Sequence, residues 1–378
     1  MSLAFSGARL WAVMRKEFTQ LRRDRLTFAM MIGVPLLQLT LFGFAINGDP
    51  RQLPTVLVAQ ENTVFTRSLA RALENSGYFR IVQTSVDPRV ADAALALGTA
   101  QFALTVPAGF ARELQRGGRP QLLVEADATD PSATGPAIAA LQGLAGTALR
   151  HDLTGPLVRR TADATPFDLI VQRRYNPEGV TQYNIVPGLM GVILTMTLIM
   201  MTALGITREV ERGTMENLLA TPVQPIEVMV GKIAPYIGIG YVQVAVILGS
   251  ARWLFEVPFV GSFALLMLGT LVFIAANLTV GITISSSARN QTQAMQLTFF
   301  FFLPSLLLSG FMFPFRGMPG WAQTIGEALP LTHFLRLVRG VMLKGSGLAE
   351  TWPHLWPLLL FTALVLALGL KRFRRTLD

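Results

Sequence analysis

The chain has 378 residues, of which 51% are hydrophobic and 15% charged, with a mean hydropathy of +0.47. Soluble globular domains carry about 25% charged residues, so one large soluble enzyme is excluded. The formal charge is +9 and there is no cysteine; the second fact removes disulfide frameworks, thiol chemistry and thiolate metal sites, and the blockwise placing of apolar residues points the basic excess at anionic lipid rather than nucleic acid.

Residues 1–25 place Leu10, Met14, Phe18 and Leu21 at helical spacing, with Arg15, Lys16, Arg22 and Arg23 mostly elsewhere around the helix. That pattern predicts a cytoplasmic helix lying in the membrane interface. Residues 26–46 follow as an uninterrupted apolar run, about the length that crosses a bilayer as a helix. It is too long for a signal-peptide core, and no small-residue cleavage pattern follows Ile46.

Residues 47–183 form the one connecting segment large enough to be a domain. Strands are predicted at Thr55–Ala59, Phe79–Thr84, Phe102–Val106 and Gln121–Glu125, where short apolar runs alternate with polar residues. Helical spacing marks Thr66–Asn75, Pro88–Leu97, Ala108–Gln115 and Ala137–Arg160, the last broken at Gly155-Pro156. The expectation is a mixed α/β domain on the extracytoplasmic side, with Glu125 and Asp127 as solvated surface groups.

Five further apolar stretches, at about 184–206, 233–251, 257–285, 294–315 and 352–370, complete an α-helical polytopic membrane protein with six spans. The apolar body of the last is Leu355–Leu370, with Trp352 and Trp356 beside it as an interfacial anchor. Basic residues before span one and in the tail 371–378 put both termini in the cytoplasm, together with Arg208, Arg212, Lys232 and Arg289. Arg316, Arg336, Arg339 and Lys344 then fall outside, against the rule.

The cytoplasmic segment 207–222 concentrates charge in Arg208, Glu209, Glu211, Arg212 and Glu216, while Val210, Met215, Leu218 and Leu219 supply an apolar side. Pro222 and Pro225 stop it. Such a segment either docks in a partner's groove or is a solvated loop that balances its own charges. Within the spans no ionisable residue stands ready as a proton relay. Gln38, Gln243, Asn277, Phe299 and Phe300 are the polar and aromatic candidates at depth, read either as interhelical packing or as a mostly apolar substrate path.

The block Glu209–Thr221, continuing through Pro222, Glu227, Gly231 and Lys232, resembles the type-2 ABC transporter permeases, in particular their multidrug-export branch. Arg15-Lys16-Glu17, Arg23-Asp24-Arg25, Pro35 and Phe42-Gly43 are similar to the family's N-terminal segment, and Asn176-Pro177 with Pro187-Gly188 to its approach to span two. Ser309-Gly310, Phe313-Pro314, Met318-Pro319, Trp321, Pro330-Leu331 and Gly340 resemble its late gate region. The resemblance implies a permease of the bacterial cell inner membrane working with two ABC ATPase subunits and with a second permease copy or a paralogue. Membrane lipids are implied as partners, and periplasmic adaptor proteins are compatible with it. ATP and Mg would sit on the ATPase, with no cofactor or metal on this chain. It assigns an ATPase-coupling helix to Arg208, Glu209, Glu211, Arg212, Gly213, Thr214, Met215, Glu216, Leu218 and Leu219. It also assigns an external re-entrant gate to 316–351, with Phe313, Pro314, Met318, Pro319, Trp321, Pro330, Arg336 and Arg339, and the two arginines would lie at the outer headgroups.

The sequence itself contains no Gly-x-x-x-x-Gly-Lys-Ser/Thr; Gly231-Lys232 is followed by Ile233, so the chain is not expected to be its own ATPase. Three histidines, His151, His333 and His354, give no metal-ligand spacing. Gly238-x-Gly240 lies inside a span and reads as helix packing. The competing readings are a membrane-anchored receptor or assembly factor and, more weakly, a secondary transporter.

Overall fold

Leu53–Ala59 (β1) is buried along almost its whole length, as an inner strand covered on both faces must be. The computed structural model describes residues 50–153, 165–211 and 225–375, with backbone alone for 225–234 and 370–375. β1 is followed by Val64–Asn75 (α1), Phe79–Ser85 (β2), Pro88–Leu97 (α2), Phe102–Val106 (β3), Phe110–Gln115 (α3), Gln121–Asp127 (β4), Pro131–Ala145 (α4) and Asp168–Arg174 (β5). The five strands lie in the order β2-β1-β3-β4-β5. All neighbours are parallel except β3 and β4.

Alternation of side chains sorts this sheet's two faces. Leu57, Leu104, Leu122 and Val124 meet Leu69, Leu73, Leu141 and Ala145 of α1 and α4. Val56, Val58 and Ala103 turn the other way, onto Ala91, Ala94 and Leu95 of α2. The helix starts are fixed by side-chain caps: Thr63 accepts from the Thr66 amide, Asp87 from Arg89 and Asp130 from Ser132, with proline opening α2 and α4.

The sequence reading places three helices and four strands here to within a few residues. It misses β5, an edge strand whose partly exposed, polar-ended run gives little alternation. The long helix expected at Ala137–Arg160 instead starts at Pro131 and ends at Ala145, before Gly146; its expected break at Gly155-Pro156 lies outside the described residues. The solvated placement of Glu125 and Asp127 is also corrected. Both are buried, because each has found a cation: Arg174 for Glu125 and Lys344 for Asp127.

Asn176 turns the chain from sheet to bundle. It is fully buried, and its side chain both donates to the Val180 carbonyl and accepts from the Val180 amide. The bundle then comprises Thr181–Glu211 (α5), Pro225–Trp253 (α6), Phe263–Ser285 (α7), Gln291–Leu308 (α8), Gly320–Glu327 (α9), Pro330–Arg339 (α10) and Leu348–Arg375 (α11). Among the described residues three helices are long and apolar enough to cross a membrane: α5, α7 and α11 as far as Gly369. The expected span 26–46 and the interfacial helix 1–25 lie outside the described residues.

Two expected spans need correction. The one expected at 257–285 begins as a helix only at Phe263, because Pro258 and Gly261 precede a Ser262 cap on the Leu265 amide. The one expected at 294–315 ends at Leu308; Gly310 takes a left-handed φ of 83° and the chain leaves the helix. Helix α5 packs on α7 at Gly281, where a Cβ would stand 2.7 Å from Thr202 Cβ and 3.0 Å from the Ile199 carbonyl oxygen. Small residues permit such approach between membrane helices.

Candidate functional site

The bundle has two chemically different ends. At one, Asn184 near the start of α5 donates to Asp130 of the sheet domain at 2.8 Å, and the Val260 amide before α7 donates to the Met342 carbonyl. At the other, Glu211 at the end of α5 accepts from the Gln291 amide (2.8 Å) and side chain (2.6 Å) at the start of α8. Arg208 reaches the same glutamine at 3.4 Å.

The sheet end carries residues 316–351, the segment expected to form a gate. After α8 the chain makes a 3-10 turn at Phe315–Gly317, then α9, α10 and a π-helical turn at Gly340–Lys344. Pro314 and Pro319 precede the first two of these, and Pro330 opens α10. Met318 is buried with Leu307, Leu308 and Ala322, and Phe313 packs at the edge of that cluster, whereas Trp321 faces outward. The apolar side of α10 is buried: Phe334 stacks on Phe273 of α7 with ring centroids 4.0 Å apart.

Arg336 and Arg339, expected at the outer headgroups, both have acceptors within the chain. Arg336 forms a two-pronged pair with Glu327, at 2.7 and 3.0 Å, and stacks on Phe315. Arg339 donates through Nη1 to the Gly310 carbonyl at 3.3 Å. Its Nε and Nη2 are shut from solvent and have no partner among the described residues. Asp130 and Asp127 are the carboxylates whose charge reaches it.

Lys344 ties the segment 316–351 to the sheet domain. The π-helical turn, closed by a left-handed Gly345, points its ammonium at Asp127 (2.5 Å), at the Leu95 carbonyl (3.0 Å) and over the Tyr175 ring. Between these two bodies lies a cavity of about 270 Å³, lined by Asp127, Asp130, Glu327, Arg336, Arg339 and Lys344 among others. Of the four cations that break the topology rule in the sequence, Arg336 and Lys344 each meet a carboxylate of the same chain, and Arg316 and Arg339 each donate to a backbone carbonyl. No sequence signal announces these matches, because Lys344 and Asp127 are 217 residues apart.

The segment 316–351 also carries two titratable groups whose ordinary values are shifted by its packing. Burial holds the His333 imidazole below its ordinary value, helped by the Arg336 charge and opposed by its bond to the Glu327 carbonyl. Burial alone would raise Glu327, but the Arg336 bond and charge bring it below the usual carboxylate range. Both groups have folded values below unfolded ones, so each contributes stability above its unfolded pKa that is lost as pH falls towards the folded one. For His333 that loss begins below about 6.5 and for Glu327 below about 4.3; the second share is small because Glu327 is 45% exposed. The melting temperature of the purified protein should fall between pH 7.5 and 5, and His333→Gln should flatten that slope.

Of the expected coupling residues, Arg208, Glu209 and Glu211 continue α5 to its end. Arg212, Gly213, Thr214, Met215, Glu216, Leu218 and Leu219 lie outside the described residues. The expected path residues fall in separate surroundings. Gln243 accepts from Thr197 between α6 and α5 at 2.9 Å, and Asn277 is fully buried, donating to the Phe273 carbonyl of its own helix. Phe299 and Phe300 stand partly exposed on α8, and Gln38 lies outside the described residues.

Comparison with known proteins decides between the readings. The family of ABC-2 family transporter proteins matches residues 25–371. This chain belongs to the ABC-2 family. It is similar to the probable multidrug ABC transporter permease YbhR of Escherichia coli (strain K12), 28% identical over 97% of this chain and 98% of the relative. The probable multidrug permease YbhS of the same organism is 27% identical over 90% of each chain. The inner membrane transport permease YhhJ, again of that strain, is 30% identical over 76% of each. As an ABC-2 protein the chain is a transport permease, and membership implies an ABC ATPase subunit as partner.

Proposed function

We propose that this chain is the membrane-spanning subunit of an ATP-driven exporter, moving a drug-like or lipid-like amphipathic substrate out of the cytoplasm or inner leaflet. The observation that carries the reading is the separation of the two ends: a domain clamped over a gate at one, and the charged terminus of α5 braced on α8 at the other. An engine and an exit belong at opposite ends of a pathway. In this reading 26–46 and α6 and α8 join α5, α7 and α11 as six spans, and both termini face the cytoplasm of a bacterial inner membrane. The sheet domain and the gate 316–351 face outward. Two permease copies, or this chain and a paralogue, enclose the path, and two ATPase copies carry ATP and Mg. The names of YbhR and YbhS support a drug-like cargo, and that of YhhJ the inner membrane.

The segment 207–222 is the ATPase contact, where Glu209 and Glu216 meet basic groups and Met215 and Leu218 fill a groove. Losing one member of a desolvated charge pair costs about 2–5 kcal/mol, against about 0–1 kcal/mol for an exposed pair. Glu209→Ala and Met215→Asp should therefore lower the ATPase content of purified complexes or uncouple hydrolysis from transport. Glu74→Ala, in α1 of the sheet domain, should change neither. Wild-type ATPase content and substrate-stimulated hydrolysis in both coupling variants would make the segment a solvated connector.

A further inference from the structure

The cavity of about 270 Å³ between the sheet domain and the segment 316–351 is lined by charges that its ion pairs do not use up. Lys344 offsets Asp127 and Arg336 offsets Glu327, which leaves Arg316, Arg339, Asp130 and Glu350. Among the described residues each of these two guanidiniums donates only to a carbonyl, Arg316 to Gly98 and Arg339 to Gly310. Each carboxylate accepts at a helix start. Asp130 takes the Ser132 amide, the Ser132 hydroxyl and the Asn184 side chain, all on Oδ1, and Glu350 takes the Gly347 amide on Oε2. Among the described residues no ion pair joins the four.

Buried polar atoms without partners gather on the same walls. Arg339 leaves Nε and Nη2 unbonded, Gln101 its Oε1 and His354 its Nδ1, all shut from solvent. Nε and Nη2 form the guanidinium edge that meets two oxyanion oxygens in parallel bonds. A cation held in the interior by one carbonyl is costly, and an oxyanion is the group that relieves it. Arg339 is itself part of the cavity wall, so rotation of its side chain presents that edge to an occupant. An oxyanion alone would also face Asp130 Oδ2, which no hydrogen bond among the described residues uses. An occupant that carries an ammonium as well turns this repulsion into attraction. Sites for drug-sized ligands span about 300–1,000 Å³, so the occupant is small.

We propose that this cavity binds a small zwitterion, with its phosphate or carboxylate on Arg339 and its ammonium on Asp130. Arg316 and Glu350 add charge of both signs on the same walls. A free amino acid and the phosphoethanolamine head of a lipid share this chemistry. Either bridges Asp130 of the sheet domain and Arg339 of α10, adding a second tie to that of Lys344. The inference does not depend on the cargo, on export or on the ATPase contact.

The test is equilibrium binding of radiolabelled phosphoethanolamine and, separately, of radiolabelled glycine to the full-length protein purified in a nonionic detergent. Saturable binding of at least one is expected, with inorganic phosphate and ethanolamine as far weaker competitors because each lacks one of the two charges. Competition by dihexanoylphosphatidylethanolamine assigns a lipid head, and its failure assigns a free zwitterion. Asp130→Asn keeps the Oδ1 acceptor and the helix cap but removes the charge; Arg339→Lys keeps the charge but removes the fork. Each should weaken binding about tenfold, since each removes a hydrogen bond to a charged group. Arg119→Gln, which removes an arginine paired with Asp168 elsewhere on the sheet, should leave it unchanged. The Asp130 variant decides the matter even if Arg339→Lys disturbs the packing. Absence of saturable binding of both probes would leave the cavity to water and overturn the proposal. Equal competition by inorganic phosphate or by ethanolamine, or wild-type affinity in Asp130→Asn, would overturn it as well.

Discussion

Replacing Lys344 with methionine is expected to destabilise the packing of the sheet domain on the gate by about 3–5 kcal/mol, the cost of stranding one member of a buried ion pair. The two side chains are only 10% and 11% exposed, so solvent cannot replace the lost ammonium. Thr129 already occupies the other carboxylate oxygen of Asp127 through its amide and hydroxyl, so Oδ2 alone would lose its partner. The Leu95 carbonyl would lose a donor as well. The double variant Asp127→Asn with Lys344→Met should recover most of the loss, since a neutral amide is far cheaper to bury than a lone carboxylate. Hydrogen exchange at β4 and at the start of α4, beside thermal melts, reads the opening locally as well as globally. A single variant that melts and exchanges like the wild type would mean that the pair carries no load.

Phe334→Ala should cost a similar amount, about 3–5 kcal/mol, for a different reason. Phe334 and Phe273 are both fully buried, and their rings lie within 3° of parallel. Truncation leaves a cavity in a packed seam that the backbone of α7 and α10 cannot close, and also loses an aromatic pair worth about 0.5–1.5 kcal/mol. The contrast is Trp321→Ala on the outward face of α9, expected to stay within about 0.5 kcal/mol in detergent. Comparable melting losses for the two variants would contradict the placing of α10 as the wedge between gate and bundle.

The sheet domain was legible in outline because its inner strands are continuous apolar runs and its helices start at side-chain caps, both local signals. β5 escaped because an edge strand needs only one apolar face, and Asp168–Arg174 is half polar. The long helices were legible as apolar length; their ends were not, because Ser262 and Gly310 are small residues whose stopping power depends on the conformation they adopt. The turns of 316–351 are legible from Pro314, Pro319 and Pro330, but the partners of its charges are not. Glu125 and Asp127 look like surface groups when each is considered alone, and only the fold brings Arg174 and Lys344 to them. Burial of a charge is a property of pairs, and pairs this far apart in the chain leave no trace in local pattern.

The central claim, that this chain forms an export path driven from the end opposite its gate, is tested most directly by transport in proteoliposomes. The permease would be reconstituted with its ATPase subunit and given a hydrophobic fluorescent substrate. Movement should require hydrolysable ATP, should vanish without the ATPase, and should survive collapse of the proton gradient, because the expected spans offer no intramembrane carboxylate to carry protons. Abolition by an uncoupler at constant ATP, or full transport without the ATPase, would contradict it.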